Sequence, residues 1–346
     1  MNVLLTAVGR RSYLVRYFQQ ALGGTGVTVV TNTALDAPAM SIADHAVVVP
    51  PSFHAEYPEA IGALCRQFDI RLLCSCHDLD VFALAPHREH LRESGVIAML
   101  PDAEWARLCL DKFECGERIK AAGFAVPWAS ASLEATRAAL ARGEVRFPLV
   151  VKARLGFGSL ALHRCHNLEQ LGWFHQSSLA ELEDAVGNRF LPLPLDERVL
   201  IQQCVQGPEH RVIVVNDLEG EYAAHFVAEV NAMRAGESDR ATTMARDALG
   251  DLPGRFSRLT RHLGVWGLDV LLDADQPMII DVNPRFTGDY PFQHLAGANV
   301  PAALIAWAQG VQPERAWLEP AVGVTGYKDL VPTRWPPPPV DAGADA

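Results

Sequence analysis

The chain has 346 residues, which is enough for about two domains on a prior of roughly 150 residues each. Hydrophobic residues make up 49% of it and charged residues 21%, the balance of a soluble protein with a sizeable core. The 30 basic and 41 acidic residues give a net charge of −11. This excludes a nucleic-acid scaffold and a binder of anionic membranes, because both normally carry a basic surface. A local basic pocket for a small anion remains compatible with this charge.

The basic residues are unevenly divided between the two types, with only four lysines beside 26 arginines. The lysines are Lys112, Lys120, Lys152 and Lys328. A chain that prefers arginine this strongly is expected to keep lysine where a compact point charge is needed.

The seven cysteines are scattered, with no CxxC pair and no Cys/His cluster at zinc spacing. Reduced thiols fit the cytosol, so we expect a cytoplasmic protein. No segment approaches 18 uninterrupted apolar residues, and the charges near the N-terminus follow the first apolar stretch instead of preceding it. We therefore expect neither a membrane span nor a secretion signal.

In chain order, the first hundred residues alternate short apolar runs with helical patterns. The runs that predict strands lie at 2–8, 27–32, 45–50, 70–76 and 96–100, and the helical patterns lie at 12–22, 54–68 and 79–92. Continuous apolar strands that alternate with helices are typical of a parallel sheet covered on both faces. We therefore predict a Rossmann-like α/β domain over residues 1–104.

After this domain the pattern changes to strands with polar turns and interspersed helices. Asp102 is placed to cap a helix that runs to about residue 122. The later elements are predicted as strands at 146–152, 159–164, 198–205, 210–216 and 221–230, a helix at 243–263, a hairpin from 263–273 and 277–283, helices near 290–297 and 300–310, and a strand near 322–327. This indicates an α+β arrangement, and the Pro- and Ala-rich tail 333–346 is expected to be disordered.

The first candidate site is Gly9 with Arg10 and Arg11, between the first strand and the first helix. One glycine is not the GxGxxG dinucleotide fingerprint. Two arginines at a helix N-terminus oppose the helix dipole, and an anionic ligand would explain them. The alternative is a plain strand-to-helix turn.

The second candidate is an apolar strand that delivers Lys152 and then a loop with Gly156, Gly158 and Ser159. Glycines let backbone N–H groups approach phosphate oxygens, and lysine supplies a point charge for them. The order differs from a Walker A loop, in which the lysine follows the glycines. The pattern indicates either a phosphate-binding loop or a surface hairpin with an incidental lysine.

The third candidate is a strand that runs into a Gly-Pro turn before Glu209. On its own this pattern is a turn. In a nucleotide site, the backbone of residues 203–205 would hydrogen-bond adenine and Glu209 would bind a ribose hydroxyl.

The strongest candidate is the hairpin that carries Asp269 on one strand and Asp281 with Asn283 on the next. Residues 281 and 283 point to one face, and a turn near 274–276 brings Asp269 close to them. Two carboxylates and an amide oxygen suit a magnesium ion. Arg285 follows closely and would neutralise charge on a transferred phosphoryl group. The alternative is that Asp281 and Asn283 merely end a strand.

Taken in order, these elements resemble the ATP-grasp superfamily. The resemblance covers about 105–310 and is carried by Asp111-Lys112, the Lys152 strand and its loop, QQCVQGPE at 202–209, Asp269, and DVNPRFTGD at 281–289. The separation of Asp269 and Asp281 matches that of the paired metal carboxylates in members similar to biotin carboxylase. The nearest group is the stand-alone ligases similar to carbamoyl-phosphate synthase, whose first strand often ends in GRR, as at 9–11.

The resemblance implies a pre-ATP-grasp Rossmann-like domain at 1–104, an ATP-grasp lid subdomain at 105–205 and a large subdomain at 206–332. It also implies ATP and Mg²⁺ as cofactors, with Mn²⁺ as an alternative metal. The roles that it implies are phosphate contacts by Lys112, Lys152, Gly156, Gly158 and Ser159, adenine contacts by Gln203, Cys204 and Val205, a ribose contact by Glu209, metal ligation by Asp269, Asp281 and Asn283, and catalysis by Arg285 and Asn283. Members usually carry glutamate at the position of Asp281, and small residues with a proline where this chain has Ala153-Arg154.

The function implied is an ATP-dependent carboxylate–amine ligase that forms an amide through an acyl phosphate. Arg10, Arg11 and Arg234 are the candidate contacts to the substrate, with Arg234 as a clamp for its carboxylate or else a solvated loop arginine. The expected partners are small-molecule carboxylates and amines, without nucleic acid or membrane, and a homodimer is left open. The alternatives are a non-catalytic ATP-binding regulatory module, a carboxylase that uses bicarbonate, and an oxidoreductase, which the missing GxGxxG disfavours.

Overall fold

The computed structural model describes residues 1–156, 160–234 and 236–332. These residues form three sheets. No helix in these ranges is long and apolar enough to cross a membrane. The tail predicted to be disordered at 333–346 lies outside the described residues.

The first sheet is parallel, with the strand order β3-β2-β1-β4-β5. Its strands and the accompanying helices are β1 (Asn2–Thr6), α1 (Ser12–Leu22), β2 (Thr28–Asn32), β3 (His45–Val48), α2 (Tyr57–Gln67), β4 (Ile70–Ser75), α3 (Asp78–Leu84), α4 (Arg88–Glu93) and β5 (Ile97–Met99). Val3 and Leu5 of β1 enter one apolar core and Leu4 enters another, so both faces of the sheet are covered. The predicted parallel α/β fold is confirmed.

Two predicted helices are divided in the structure. The pattern at 79–92 is split into α3 and α4 by a 3₁₀ turn at Ala85–His87, because Pro86 has no N–H for the helical ladder. The pattern after Asp102 is split into α5 (Ala103–Leu110) and α6 (Lys112–Ala121), so the single helix predicted there is wrong.

Asp111 causes the second division. Its backbone is extended (φ −101°, ψ 99°) and bridges to Leu155, so α5 cannot continue through it. Its carboxylate accepts hydrogen bonds from the N–H groups of Phe113 and Glu114 and thereby caps α6. One buried aspartate therefore ends one helix and begins the next.

The second sheet is antiparallel, with the strand order β6-β9-β7-β8. Its elements are β6 (Ala129–Ser130), α7 (Leu133–Arg142), β7 (Leu149–Ala153), β8 (His163–Cys165), α8 (Leu168–Glu181) and β9 (Val199–Gln203). Leu149 and Val151 of β7 enter a core shared with α7 and α8. Lys152 lies between such buried positions, and it therefore points from the other face of the sheet.

The third sheet is antiparallel, with the strand order β14-β13-β10-β11-β12-β15. Its elements are β10 (Glu209–Asn216), β11 (Tyr222–Arg234), β12 (Glu237–Met244), α9 (Leu252–Thr260), β13 (Val265–Asp273), β14 (Gln276–Asn283), α10 (Tyr290–Leu295), α11 (Val300–Ala308) and β15 (Thr325–Tyr327). Val212 and Val214 of β10 pack with residues of α5, α6 and α9, whereas Ile213 and Val215 join the core of the first sheet. The third sheet therefore lies between the N-terminal sheet and the α5–α6 pair.

The helix predicted at 243–263 is wrong over its first part. Residues 237–244 form β12, which pairs with both β11 and β15, and α9 begins only at Leu252. In β12, Ala241 and Thr243 are buried and Thr242 between them is more exposed, which is the alternation of a strand.

Candidate functional site

The β13–β14 hairpin brings the predicted metal carboxylates together. Ala274 and Asp275 have positive φ values of 45° and 70°, as a two-residue type I′ turn requires, and this turn fixes the register of the strands. Asp269 is therefore paired directly with Asp281, and Asn283 follows two positions along on the same face. All three side chains present their oxygens on one side of the hairpin.

Asp269 lies beside an arginine of the neighbouring strand. Arg211 of β10 is paired with it, and Arg211 Nη1 lies 3.2 Å from Asp269 Oδ2. The same nitrogen donates a hydrogen bond of 2.6 Å to Glu209, and Arg211 Nε lies 3.5 Å from Asp289. Burial raises the pKa of Asp269 to about 7, Arg211 opposes this rise, and the nearby carboxylates add to it. The cluster therefore carries excess negative charge, which a bound cation would stabilise.

Lys112 reaches this cluster from the first turn of α6. Its Nζ donates hydrogen bonds of 2.7 and 2.9 Å to the two carboxylate oxygens of Asp281. Burial lowers the pKa of Lys112, but the contact with Asp281 outweighs burial and the net pKa is raised. Lys112 is therefore held as a cation beside the predicted metal site.

A buried ion pair fixes the start of α6 and so the position of Lys112. Arg154 donates hydrogen bonds of 2.9 Å from Nε and 2.8 Å from Nη2 to the two oxygens of Asp111. Lys112 N–H donates a hydrogen bond of 3.1 Å to the carbonyl of Arg154. Both charged side chains are almost fully buried, at 6% and 2% exposed. The second sheet and α6 are thus joined by charge-assisted hydrogen bonds directly beside Lys112.

Lys152 projects from β7 toward Asp269 and Asp281. Burial and, to a smaller extent, the ammonium of Lys112 lower its pKa, Asp281 and Asp269 oppose this, and the resulting pKa is about 8. The backbone of Lys152 pairs with Leu200, but within the described ranges its ammonium makes no ion pair or hydrogen bond. Its ammonium is therefore available to an anionic ligand.

The loop predicted after Lys152 is described only in part. Gly156 has a φ of 117°, a conformation that side chains rarely adopt. Gly158 and Ser159 lie outside the described residues, so their phosphate contacts stay a prediction.

The chain segment after β9 leaves the backbone donor of Val205 available. The N–H of Gln203 donates to the carbonyl of Trp128, and that of Cys204 donates to Pro148. The N–H of Val205 has no partner among the residues that the structure describes. Gln203 directs its side chain to Pro148 and to the N–H of Arg146 instead of to a ligand. Of these three residues, Val205 has the backbone group that adenine would need.

Arg285 is held by a carboxylate of the N-terminal domain. Its Nε and Nη2 donate hydrogen bonds of 2.9 and 2.5 Å to the two oxygens of Asp78, at the start of α3. Nη2 also donates a hydrogen bond of 3.2 Å to Asn283 Oδ1. Burial lowers the pKa of Arg285, and Asp78 more than restores it. The guanidinium is therefore fixed next to the predicted metal ligands by two domains at once.

The three arginines predicted to contact substrate lie in different places. Arg11 is half-buried, and its charge acts on His77 and on Glu237, so it faces the Arg285 end of the site. Arg10 is exposed. Arg234 is exposed at the end of β11, 2.6 Å from Asp239, and is not brought to Arg285 by any contact in the described part of the chain.

The donor set of the hairpin fits a magnesium ion. Two carboxylates and an amide oxygen are hard oxygen donors, the kind of ligand that Mg²⁺ prefers. In the described ranges no three His, Cys, Asp or Glu side chains form a ready metal cluster. The third oxygen from the protein would therefore come from Asn283, and the remaining ligands from phosphates or water.

Comparison with known families identifies this arrangement. The ATP-grasp domain family matches residues 109–289, which is more than half of the chain. The chain belongs to the ATP-grasp family. Residues 3–99 match the N-terminal domain of PylC-like proteins.

Several solved structures share this ATP-grasp architecture at low sequence identity. One is the biotin carboxylase domain dimer of 2-oxoglutarate carboxylase from Hydrogenobacter thermophilus, in complex with MgADP, ADP and bicarbonate. It is 18% identical to this chain, the match covers 93% of this chain and 73% of that chain, and the TM-score is 0.72. Biotin carboxylase from Campylobacter jejuni, in complex with β-γ-ATP, is 18% identical, with coverage of 92% and 73% and a TM-score of 0.69. N5-carboxyaminoimidazole ribonucleotide synthetase from Thermotoga maritima is 18% identical, with coverage of 92% and 78% and a TM-score of 0.65. These likenesses confirm an α/β domain followed by an ATP-grasp fold.

A curated relative is similar over part of its length. The uncharacterized protein y4rH of Sinorhizobium fredii (strain NBRC 101917 / NGR234) is 27% identical over 201 residues, which are 55% of this chain. The chain spans about two fifths of the length of that relative, as the match covers 39% of it.

Sequence reasoning missed three residues of the candidate site. Asp78 was visible as an acidic residue just after a parallel strand, where ligand sites of open α/β sheets lie. Arg154 and Arg211 gave no such signal, because their partners are distant in sequence or belong to a neighbouring strand.

Proposed function

We propose that this ATP-grasp protein is an ATP-dependent ligase that activates a carboxylate and joins it to a nitrogen nucleophile. The observation that carries the proposal is that two cationic side chains contact the predicted metal ligands of one hairpin. Lys112 binds Asp281, which is paired with Asp269, and Arg285 binds Asn283. Family membership supports ATP as the co-substrate.

The nucleotide would bind between the second and third sheets. Lys152 and Lys112 supply positive charge for its phosphates, and Val205 supplies a backbone donor for adenine. Glu209 would accept a ribose hydroxyl, although it now accepts a hydrogen bond from Arg211. The MgADP and ADP held by the similar Hydrogenobacter domain support a nucleotide as the ligand.

Asp269, Asp281 and Asn283 would hold Mg²⁺, or Mn²⁺ as an alternative. The bound ion would neutralise charge on the phosphates. Because Lys112 now contacts both oxygens of Asp281, it would move toward the phosphates when the metal binds.

The reaction would proceed in two displacements. A substrate carboxylate oxygen attacks the γ-phosphorus of ATP, the bond to the β-phosphate oxygen breaks, and an acyl phosphate and ADP result. The nitrogen nucleophile then attacks the acyl carbon, loses a proton, and phosphate leaves. Arg285, fixed by Asp78, would neutralise the negative charge that develops in both steps. Such chemistry depends on positioning and charge neutralisation more than on a protein nucleophile.

The substrate would lie at the Arg285 end of the site. Arg11 is the best placed of the three predicted substrate arginines, because its charge acts on the β4–α3 loop and on Glu237. Arg10 and Arg234 remain candidates for residues that close on a bound substrate.

A second candidate function is carboxylation, with bicarbonate as the activated carboxylate. The similar Hydrogenobacter domain, which is in complex with bicarbonate, favours this alternative. The two functions share the first displacement and differ in the acid. ATP turnover that requires bicarbonate and no other acid would favour the carboxylase.

The test is a screen for phosphate release over amino acids, small carboxylates and bicarbonate, with mass spectrometry of the products. We expect release with at least one acid–amine pair and its loss in Asp281→Ala. Asp273→Ala is the matched control, because Asp273 lies exposed on the same hairpin. Release that persists in Asp281→Ala would contradict the metal assignment, and a failure of every pair would favour a regulatory ATP-binding module.

We further propose a cytoplasmic protein whose partners are small molecules. All seven cysteines are unpaired, which supports a reducing compartment. A homodimer stays a prediction.

A further inference from the structure

A cavity of about 170 Å³ lies at the carboxyl ends of β1, β2 and β3. Residues of its lining are Ala7, Asn32, Pro50, Phe53, Asp80 and Val186. Ligands of open parallel sheets bind at this edge. The volume is close to that of an apolar cavity that holds benzene, so a group of about six carbon atoms would fit.

The cavity contains a carboxylate that the proposed ligation does not use. Asp80 is 5% exposed and accepts a hydrogen bond from the hydroxyl of Tyr57. The hydroxyls of Thr6 and Ser52 also lower the pKa of Asp80. A carboxylate accepts about four hydrogen bonds, so the bond from Tyr57 leaves Asp80 with free acceptor positions.

In the part of the chain that the structure describes, no lysine, arginine or histidine forms a salt bridge with this carboxylate, and Arg285 pairs with Asp78 instead. Burial raises the pKa of Asp80 to about 6, and the hydroxyls oppose this rise, so the group is mainly ionised at neutral pH. A buried carboxylate without a cationic partner is unfavourable. A cation that enters the cavity would therefore be stabilised there.

The remaining wall is mainly apolar and is completed by the segment that follows α8. Phe53 packs edge-on against Phe190, with ring centroids 6.4 Å apart, and Arg189 Cζ lies 4.6 Å from the centroid of Phe53. Val186 of the same segment lines the cavity. A ligand in the cavity would contact both the N-terminal domain and the subdomain that carries Lys152.

The helix α3 carries both the carboxylate of the cavity and the carboxylate that holds Arg285. Asp80 lies two residues after Asp78, which holds Arg285. A substrate whose reacting group lies at Arg285 would therefore have a second recognition site nearby.

We propose that this cavity binds a primary alkylammonium group of the substrate, with the ammonium on Asp80 and a stem of about four to six carbons against Pro50, Phe53 and Val186. The assignment of this group to the substrate rests on the proposed function. The proposal that the cavity binds an alkylammonium ion does not depend on that function.

The test measures binding of n-pentylammonium to the full chain by calorimetry, without nucleotide. We expect Asp80→Asn to weaken binding by roughly tenfold to a hundredfold, because it removes a charged hydrogen-bond partner. Binding of n-pentanol, which has the same stem without the charge, should change by less than about twofold. Asp36→Asn, an exposed aspartate of the same domain, is the matched control.

Val186→Phe tests the cavity independently of Asp80. The larger side chain fills the space, so both probes should bind more weakly while thermal unfolding confirms a folded chain. Equal binding of n-pentylammonium to wild type and Asp80→Asn would overturn the proposal, as would no binding by a wild-type chain that still binds ADP. Asp80-dependent binding in a chain that does not bind ADP would support the cavity and contradict the proposed ligase.

Discussion

The buried pair of Asp111 and Arg154 offers the most direct test of how this fold holds Lys112. Asp111→Asn removes the negative charge and keeps the shape. It also keeps the cap of α6, because asparagine caps helices about as well as aspartate. The effect is therefore that of the charge alone. It leaves the buried guanidinium with two partly exposed partners, Glu197 at 3.2 Å and Glu114 at 3.7 Å.

The expected magnitude follows from burial. Removing one partner of a buried ion pair costs about 3–5 kcal/mol of unfolding free energy. At about 2.1 cal/mol/K per residue, the unfolding entropy of 346 residues is roughly 0.7 kcal/mol/K. Tm should therefore fall by roughly 4–7 °C when the chain unfolds as a unit.

Scanning calorimetry of wild type, Asp111→Asn and Glu144→Gln checks this value. Glu144 forms a similar bidentate pair with Arg142, at 2.6 and 3.0 Å, but in solvent, so its substitution should leave Tm unchanged within error. The affinity for ADP should also fall in Asp111→Asn, because Lys112 follows Asp111 directly. Equal Tm values for the two variants would refute the argument from burial.

Two further substitutions test the site itself. Asp78→Asn should lower kcat for phosphate release roughly a hundredfold, because it frees Arg285. The Kd for ADP should change by less than about twofold, because the nucleotide contacts stay in place. A parallel loss of ADP affinity would contradict this prediction. Lys152 has a pKa of about 8, and bound phosphates would raise it, so ADP affinity should fall as pH rises above about 8 by up to tenfold per unit. Lys152→Arg stays charged and should flatten this profile in calorimetric titrations, and an unchanged slope would exclude Lys152 as the titrating group.

The elements that could be predicted from sequence are those whose signal is local. The β13–β14 hairpin is readable because two apolar runs flank a short polar turn, and its register then pairs Asp269 with Asp281. Lys152 was found because its strand and glycines are contiguous. The domain boundaries and the roles of individual site residues stay predictions.

The parts that could not be predicted depend on tertiary contacts. The helix after Asp102 looks continuous in sequence, since Asp111 is compatible with a helical pattern. Its break requires Leu155 and Arg154, more than 40 residues away, to bridge and neutralise Asp111. The same break makes Lys112 the first residue of a helix and points it at Asp281. This break, which the sequence pattern did not predict, therefore positions Lys112, a residue that the sequence pattern did identify.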